Sequence, residues 1–162
     1  MQQGPWLHLP EHTVELRADE QALAIQLLAS LEAAGFSPPW VRDLAREHSV
    51  GETEVRDLLC KLAKRAQVSQ IVKDLFYHPS KIDDLARIVA VLAAHIDEAG
   101  SGASTDAKVR PVSAAAFRDA TGLGRKRSIQ LLEFFDRVGY TRRLKDTHIV
   151  RPNALWGNDV IL

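Results

Sequence analysis

Offset by 73 residues, the sequence overlays itself without a gap, residues 36–79 on residues 109–152. Pro38 falls on Pro111, Gly51 on Gly124, Leu58-Leu59 on Leu131-Leu132, and Pro79 on Pro152. Few residues are identical, but the turn residues and the apolar pattern agree. A match at one fixed spacing means one supersecondary unit used twice. A helical apolar stripe precedes each copy: Ala24, Leu27, Leu28 and Leu31 before the first, and Leu85, Ile88, Val89, Leu92 and Ile96 before the second. Ser80, with Asp83 three residues on, is the expected cap of the second of these helices.

Within each copy the order repeats. The spacing predicts a short helix over 39–48 and over 112–121, then a tight turn at Ser49-Val50-Gly51 and at Gly122-Leu123-Gly124. A stronger helix follows, with stripe Val55, Leu58, Leu59, Leu62 in one copy and Leu131, Leu132, Phe135, Val138 in the other. Gly139 is placed to end the latter in a left-handed conformation. Two β-rich segments close each copy, 68–72 with 75–77 and 140–144 with 148–150. Three helices and a two-stranded hairpin make a winged helix. The expected fold class is therefore mainly α with small β wings (α+β), two tandem winged-helix domains over 1–79 and 80–162. Residues 99–108, rich in Gly, Ser and Ala, read as a flexible loop inside the second domain. Residues 6–16 read as a strand or extended lead-in without a partner, the expected start of a piece of a longer chain.

Charge separates the copies. The whole chain is neutral, 21 basic against 21 acidic residues. Residues 109–151 nevertheless carry ten basic and four acidic groups, whereas residues 36–79 carry seven and six. Such asymmetry is the footprint of a polyanion-binding face. At the start of the third helix Glu52-Thr53-Glu54 stands against Arg125-Lys126-Arg127. In the first wing strand Ser69-Gln70 stands against Arg142-Arg143. Further on, Val72 faces Lys145 and His78 faces Arg151, unless the wing tip slips by one and matches Lys73-Asp74 to Lys145-Asp146. In a helix-turn-helix the third-helix start and the wing are the parts that meet nucleic acid. The first copy needs no cations there, so the fold does not demand them. Three cations oppose the helix dipole at that end, a conflict that a bound phosphate relieves. Arg supplies a planar fork for phosphate oxygens, and Lys a mobile point charge.

The run Phe117-Arg118-Asp119-Ala120-Thr121-Gly122-Leu123-Gly124-Arg125-Lys126-Arg127 carries a resemblance. With Ile129 to Arg143 it resembles the C-terminal end of the bacterial selenocysteine-specific elongation factors, the SelB family. Trp6 to His12 and Pro39 to Ala45 resemble that family's penultimate module, so the likeness covers nearly the whole chain. The resemblance implies the last two of four winged helices, the final one binding the mRNA hairpin (SECIS) that recodes UGA for selenocysteine. It places Arg125, Lys126 and Arg127 on phosphates near the loop. Arg142, Arg143, Lys145 and Arg151 then grip the stem. Thr121, Gly122 and Gly124 form a turn that receives an unstacked base, and His148 stacks on or bonds to such a base; a half-exposed strand residue is the competing role for His148. No phosphate-loop pattern is present, so GTP and the aminoacyl-tRNA belong to the missing N-terminal part. The ribosome is met only through the full-length factor, and the fragment is expected to be a cytoplasmic monomer. The first domain is expected to serve as a spacer.

Other sites carry less. Lone Cys60 permits no intrachain disulfide or Cys-based zinc site, suits a reducing compartment, and is expected to be a buried inert thiol. His8 and His12 flank Pro10, so they are not paired on a helix for a metal. Trp6, Trp40 and Trp156 are expected to pack rather than stack on bases. With no nucleophile motif or carboxylate pair, the chain is expected to be a non-enzyme without cofactor or metal. No apolar run is long enough for a membrane, and the first residues do not resemble a secretory signal. A winged-helix DNA-binding transcription regulator is the alternative, because phosphate contacts are blind to sequence.

Overall fold

A computed structural model of the chain describes residues 15–94 and 110–151. It divides into two units, Met1–Pro79 and Ser80–Leu162. In the first, α1 spans Ala18–Ala33, α2 Val41–Glu47 and α3 Glu52–Lys64. β1 (Ser69–Val72) and β2 (Leu75–Tyr77) form an antiparallel wing. The apolar stripes pack inward: Ala24, Leu27 and Leu31 of α1 meet Val55, Leu58, Leu59 and Leu62 of α3 in one core with Val68 and Phe76. Leu28 packs partly buried at its edge. The start of α1 is fixed by Glu20, whose Oε2 accepts the Arg17 backbone N–H at 3.0 Å while its Oε1 takes Lys61 Nζ at 2.6 Å. These two donors hold the Glu20 carboxyl below the usual carboxylate range, the Lys61 hydrogen bond being the larger cause.

In the second unit α4 (Pro79–Ala94) precedes β3 (Val112–Ser113), α5 (Ala114–Thr121), α6 (Arg125–Arg137), β4 (Thr141–Leu144) and β5 (Thr147–Val150). The core side of α4 is Ile82, Leu85, Ala86, Val89 and Ala93, with Ile88 and Leu92 half-buried. Phe117, Leu131, Leu132, Phe134 and Phe135 bury from α5 and α6. Tyr140 packs 5.6 Å from the Phe135 ring and donates its hydroxyl to the Ala86 carbonyl at 3.1 Å. Burial raises the Tyr140 pKa.

Several sequence expectations change in detail. The stretch 112–121 is a two-residue strand followed by a helix. β3 pairs with β5, Val112 with His148 and Ser113 with Thr147, giving a sheet of order β3-β5-β4. Among the described residues the first unit has only two wing strands; Pro39 stands where Val112 opens β3 and has no N–H for a ladder. Ser113 Oγ instead caps α5 by accepting the Ala116 N–H at 3.1 Å. Helix α4 begins at Pro79, so Ser80 lies inside its first turn rather than ahead of it. Val138 follows α6 as its C-cap and is 49% exposed, and Phe134 takes the core place expected for it. Gly139 has φ +84°, the left-handed conformation expected of it; its counterpart Ala66 has φ +59°. In the first wing Ile71 is an extra residue between the pairs Gln70–Phe76 and Val72–Leu75. That bulge slips the repeat by one, so Lys73-Asp74 matches Lys145-Asp146, and Phe76 matches His148. Cys60 is half-buried at the core edge rather than enclosed. The expectations for 6–14, 99–108, Ile96, His8, His12 and Trp156 lie outside the described residues.

Candidate nucleic-acid interface

Helix α6 starts at Gly124 with no side-chain cap and no acidic residue in its first turn. Its first turn carries Arg125 and Lys126, both exposed, and Arg127, half-buried. The turn before it is built by Gly122, at φ +74° with its N–H on the Arg118 carbonyl at 2.8 Å. Leu123 is buried as a plug, and Thr121 donates its hydroxyl to the Phe117 carbonyl at 2.8 Å. Thr121 thus closes α5, and Gly122 and Gly124 are the exposed members of the turn.

The wing meets this helix start across a cavity of about 300 Å³ lined by Ser113, Ala114, Ala115, Arg118, Arg125 and Asp146. One wall is the N-terminus of α5, another the start of α6, and the third the wing turn. Arg118, Ser113 and Asp146 were not singled out from the sequence. Arg118 stands in a helix with Asp119 beside it, 3.2 Å away, and reads there as an ordinary solvated pair. Along the wing Arg142, Arg143 and Lys145 are exposed. Arg143 Nε donates to the Lys145 carbonyl at 3.0 Å, and Lys145 has φ +53°, so the tip is a tight, self-bonded turn. Arg151, just past β5, is exposed and sends Nε to the Thr141 carbonyl at 3.4 Å.

His148 is a correction. It is 6% exposed, and its Nδ1 lies 2.8 Å from Asp136 Oδ2. That is an ion-pair distance, although the ring nitrogen is off line for a hydrogen bond and has none. The side chain is inside the unit and presents no face to an incoming base.

The first unit has the same cavity with other contents. It measures about 270 Å³ and is lined by Trp40, Arg42, Glu52 and Asp74. Glu52 stands for Arg125, Trp40 for Ser113 and Asp74 for Asp146. Trp40 is half-buried here as the N-cap of α2. Arg56 crosses to the wing, with Nε on Asp74 Oδ1 at 2.6 Å and Nη2 on Glu52 at 3.1 Å. Its position in the second unit holds Ile129.

Comparison with known proteins follows this geometry. A family described as "Selenocysteine-specific elongation factor, winged helix domain" matches residues 18–77, and one described as "Elongation factor SelB, winged helix" matches residues 106–150. The solved mRNA-binding domain of elongation factor SelB from E. coli, in complex with SECIS RNA, superposes with a TM-score of 0.68 at 35% identity, covering 85% of this chain and 100% of that one. The chain belongs to the SelB family. The selenocysteine-specific elongation factors of Escherichia coli and Haemophilus influenzae are 36% and 33% identical to it, each over 93% of this chain. The chain spans about a fifth of those SelB relatives, 22% of each. The two SelB winged-helix matches cover the acidic-faced copy and the basic-faced copy separately. Among the described residues no helix is long and apolar enough to cross a membrane.

Proposed function

We propose that this chain is the mRNA-hairpin-binding part of a selenocysteine-specific elongation factor, and that its second unit grips the SECIS hairpin. The observation that carries the reading is the likeness, over that domain's whole length, to a SelB domain solved with SECIS RNA. The internal contrast supports the choice of unit. Arg125-Lys126-Arg127 occupies the helix start that Glu52-Thr53-Glu54 occupies in the first copy.

Arg125, Lys126 and Arg127 hold phosphates at the α6 start, where a helix N-terminus favours an anion. Arg142, Arg143, Lys145 and Arg151 lie along the stem backbone. Gly122 and Gly124 allow close approach, with Thr121 holding their turn, and the cavity beside Arg118 and Arg125 has room for an unstacked base. The first unit, 1–79, is a spacer, its wing turn tied to α3 by Arg56. The chain acts in the cytoplasm as a monomeric, non-catalytic module without cofactor. GTP hydrolysis and ribosome contact fall to the rest of the factor.

The test is competition on the full chain. Labelled SECIS RNA is bound, then challenged with unlabelled SECIS RNA or duplex DNA of equal length. The reading requires the RNA to compete far better; equal competition favours a DNA-binding winged helix instead.

A further inference from the structure

The polar group at the base of the second wing is out of place for this fold. Asp136 in the last turn of α6 accepts the Thr141 hydroxyl at 2.5 Å and stands 2.8 Å from His148 Nδ1. Thr141 is 0% and His148 6% exposed. Thr141 opens β4, and His148 lies in β5, the central strand of the sheet. Three elements therefore meet at one polar cluster.

The first unit shows that the scaffold needs none of it. The helix alignment puts Ala63 where Asp136 stands, and Val68 where Thr141 stands. The wing register puts Phe76 opposite Gln70, as His148 lies opposite Arg143. Val68 and Phe76 belong to the apolar core, and Ala63 packs against it. Burying Thr141 and His148, with Asp136 half-buried beside them, where apolar groups suffice carries a desolvation cost.

The wings are also held differently at their tips. In the first unit Arg56 bonds Asp74 from α3, and the Asp74 carbonyl accepts the Val41 N–H at 3.0 Å. That tie joins α3 to the wing turn. In the second unit Ile129 stands in place of the arginine, so the equivalent tie to Asp146 is missing. The second wing is fastened instead at its base.

We propose that His148 is a positioning residue: with Asp136 and Thr141 it fastens the base of the second wing to the end of α6, and so holds Arg142 and Arg143 in place for a phosphate backbone. This rests on the hairpin-binding reading above. Arg142 directly follows Thr141, and Arg143 is the cross-strand partner of His148. A wing fastened before binding does not have to be ordered during it.

The test uses the full chain with SECIS RNA as probe, and the variants His148→Phe, His148→Asn and Asp136→Asn. His148→Phe installs the first unit's residue, so the melting midpoint stays near that of the parent. Its Kd rises about 3- to 10-fold, the cost of ordering the freed wing. The slope of log K against log salt stays unchanged, because no phosphate contact is lost. Asp136→Asn weakens binding similarly, and combining it with His148→Phe adds nothing further, as for residues acting together. His148→Asn places an amide near the Nδ1 position. It fills the core worse than Phe and melts lower, yet binds RNA more tightly than His148→Phe. A pure packing role gives the opposite order of affinity. Parental affinity in His148→Phe, or a slope lowered by one phosphate contact, overturns the proposal while parental RNA binding stands. A parent that ignores SECIS RNA overturns the reading beneath it as well.

Discussion

Arg56 holds Asp74 with both prongs of its guanidinium, Nε to Oδ1 at 2.6 Å and Nη2 to Oδ2 at 3.0 Å. A carboxylate of the chain itself thus occupies the fork that a phosphate would fill in a nucleic-acid complex. The same wing turn in the second unit holds Asp146, and the repeat puts Ile129 where Arg56 stands. One side chain decides whether the third helix ties the wing turn.

The first prediction follows from that pair and acid. The hydrogen bond from Arg56 holds the Asp74 carboxyl below the usual carboxylate range, and Lys61 does the same for Glu20. Lowered folded pKa values mean stability that is complete above the ordinary range and lost as pH falls through the folded values. Asp74→Asn should melt earlier than the parent at neutral pH, and the gap should close on acidification. Thermal melts taken from neutral pH downward check this; a constant gap contradicts it.

Ile129→Arg adds a cation to the basic unit, and simple electrostatics calls for tighter RNA binding. The geometry calls for the reverse. The new guanidinium is placed as Arg56 is, takes Asp146, and ties the wing turn to α6 beside Arg125. SECIS RNA should bind several-fold more weakly, and adding Asp146→Asn should restore the loss. Filter binding of the single and double variants decides it.

Replacing Arg125, Lys126 and Arg127 by Glu, Thr and Glu copies the first unit's helix start. The fold should persist, since Leu131, Leu132 and Phe135 are untouched and acids suit a helix N-terminus. Hairpin binding should weaken severely, and the salt slope of the remaining binding should drop by about 2, at roughly 0.7 per phosphate contact. A salt titration with circular dichroism alongside measures both.

Phe135 is fully buried against Phe134 and Tyr140, whereas Val138 is 49% exposed. Phe135→Ala should cost about 3–5 kcal/mol of stability. Val138→Ala should stay within about 0.5 kcal/mol, as surface changes do. Urea denaturation separates the two, and equal losses would place Val138 in the core after all.

The repeat, the helices and the wings were legible because they are written in local periodicity and turn residues. Val55, Leu58, Leu59 and Leu62 bury as their spacing requires. Val138 failed because the helix ends at Arg137 and Val138 is its C-cap, so the apolar stripe outruns the helix. β3 was invisible because its partner β5 lies far along the chain, and two residues carry no period. The bulge at Ile71 shifted the wing comparison, since one inserted residue leaves no compositional mark. The basic residues proposed for the site stand out by charge alone. Arg118, Ser113 and Asp146 were not, because a cavity wall is assembled from three separate elements. His148 was misplaced for a related reason: its burial depends on Asp136, twelve positions back and on another element.

The exposure of Arg125, Lys126, Arg142, Arg143 and Lys145 has a kinetic consequence. Charges in solvent act on a partner before contact, over about 8–10 Å at ordinary salt. On the hairpin-binding proposal they set how fast an anionic hairpin arrives, and that rate should fall steeply with added salt. The proposed tie between Asp136 and His148 projects no such field. Its effect should begin after docking, in how long the complex lasts, so the proposal assigns arrival and residence to different residues of one unit.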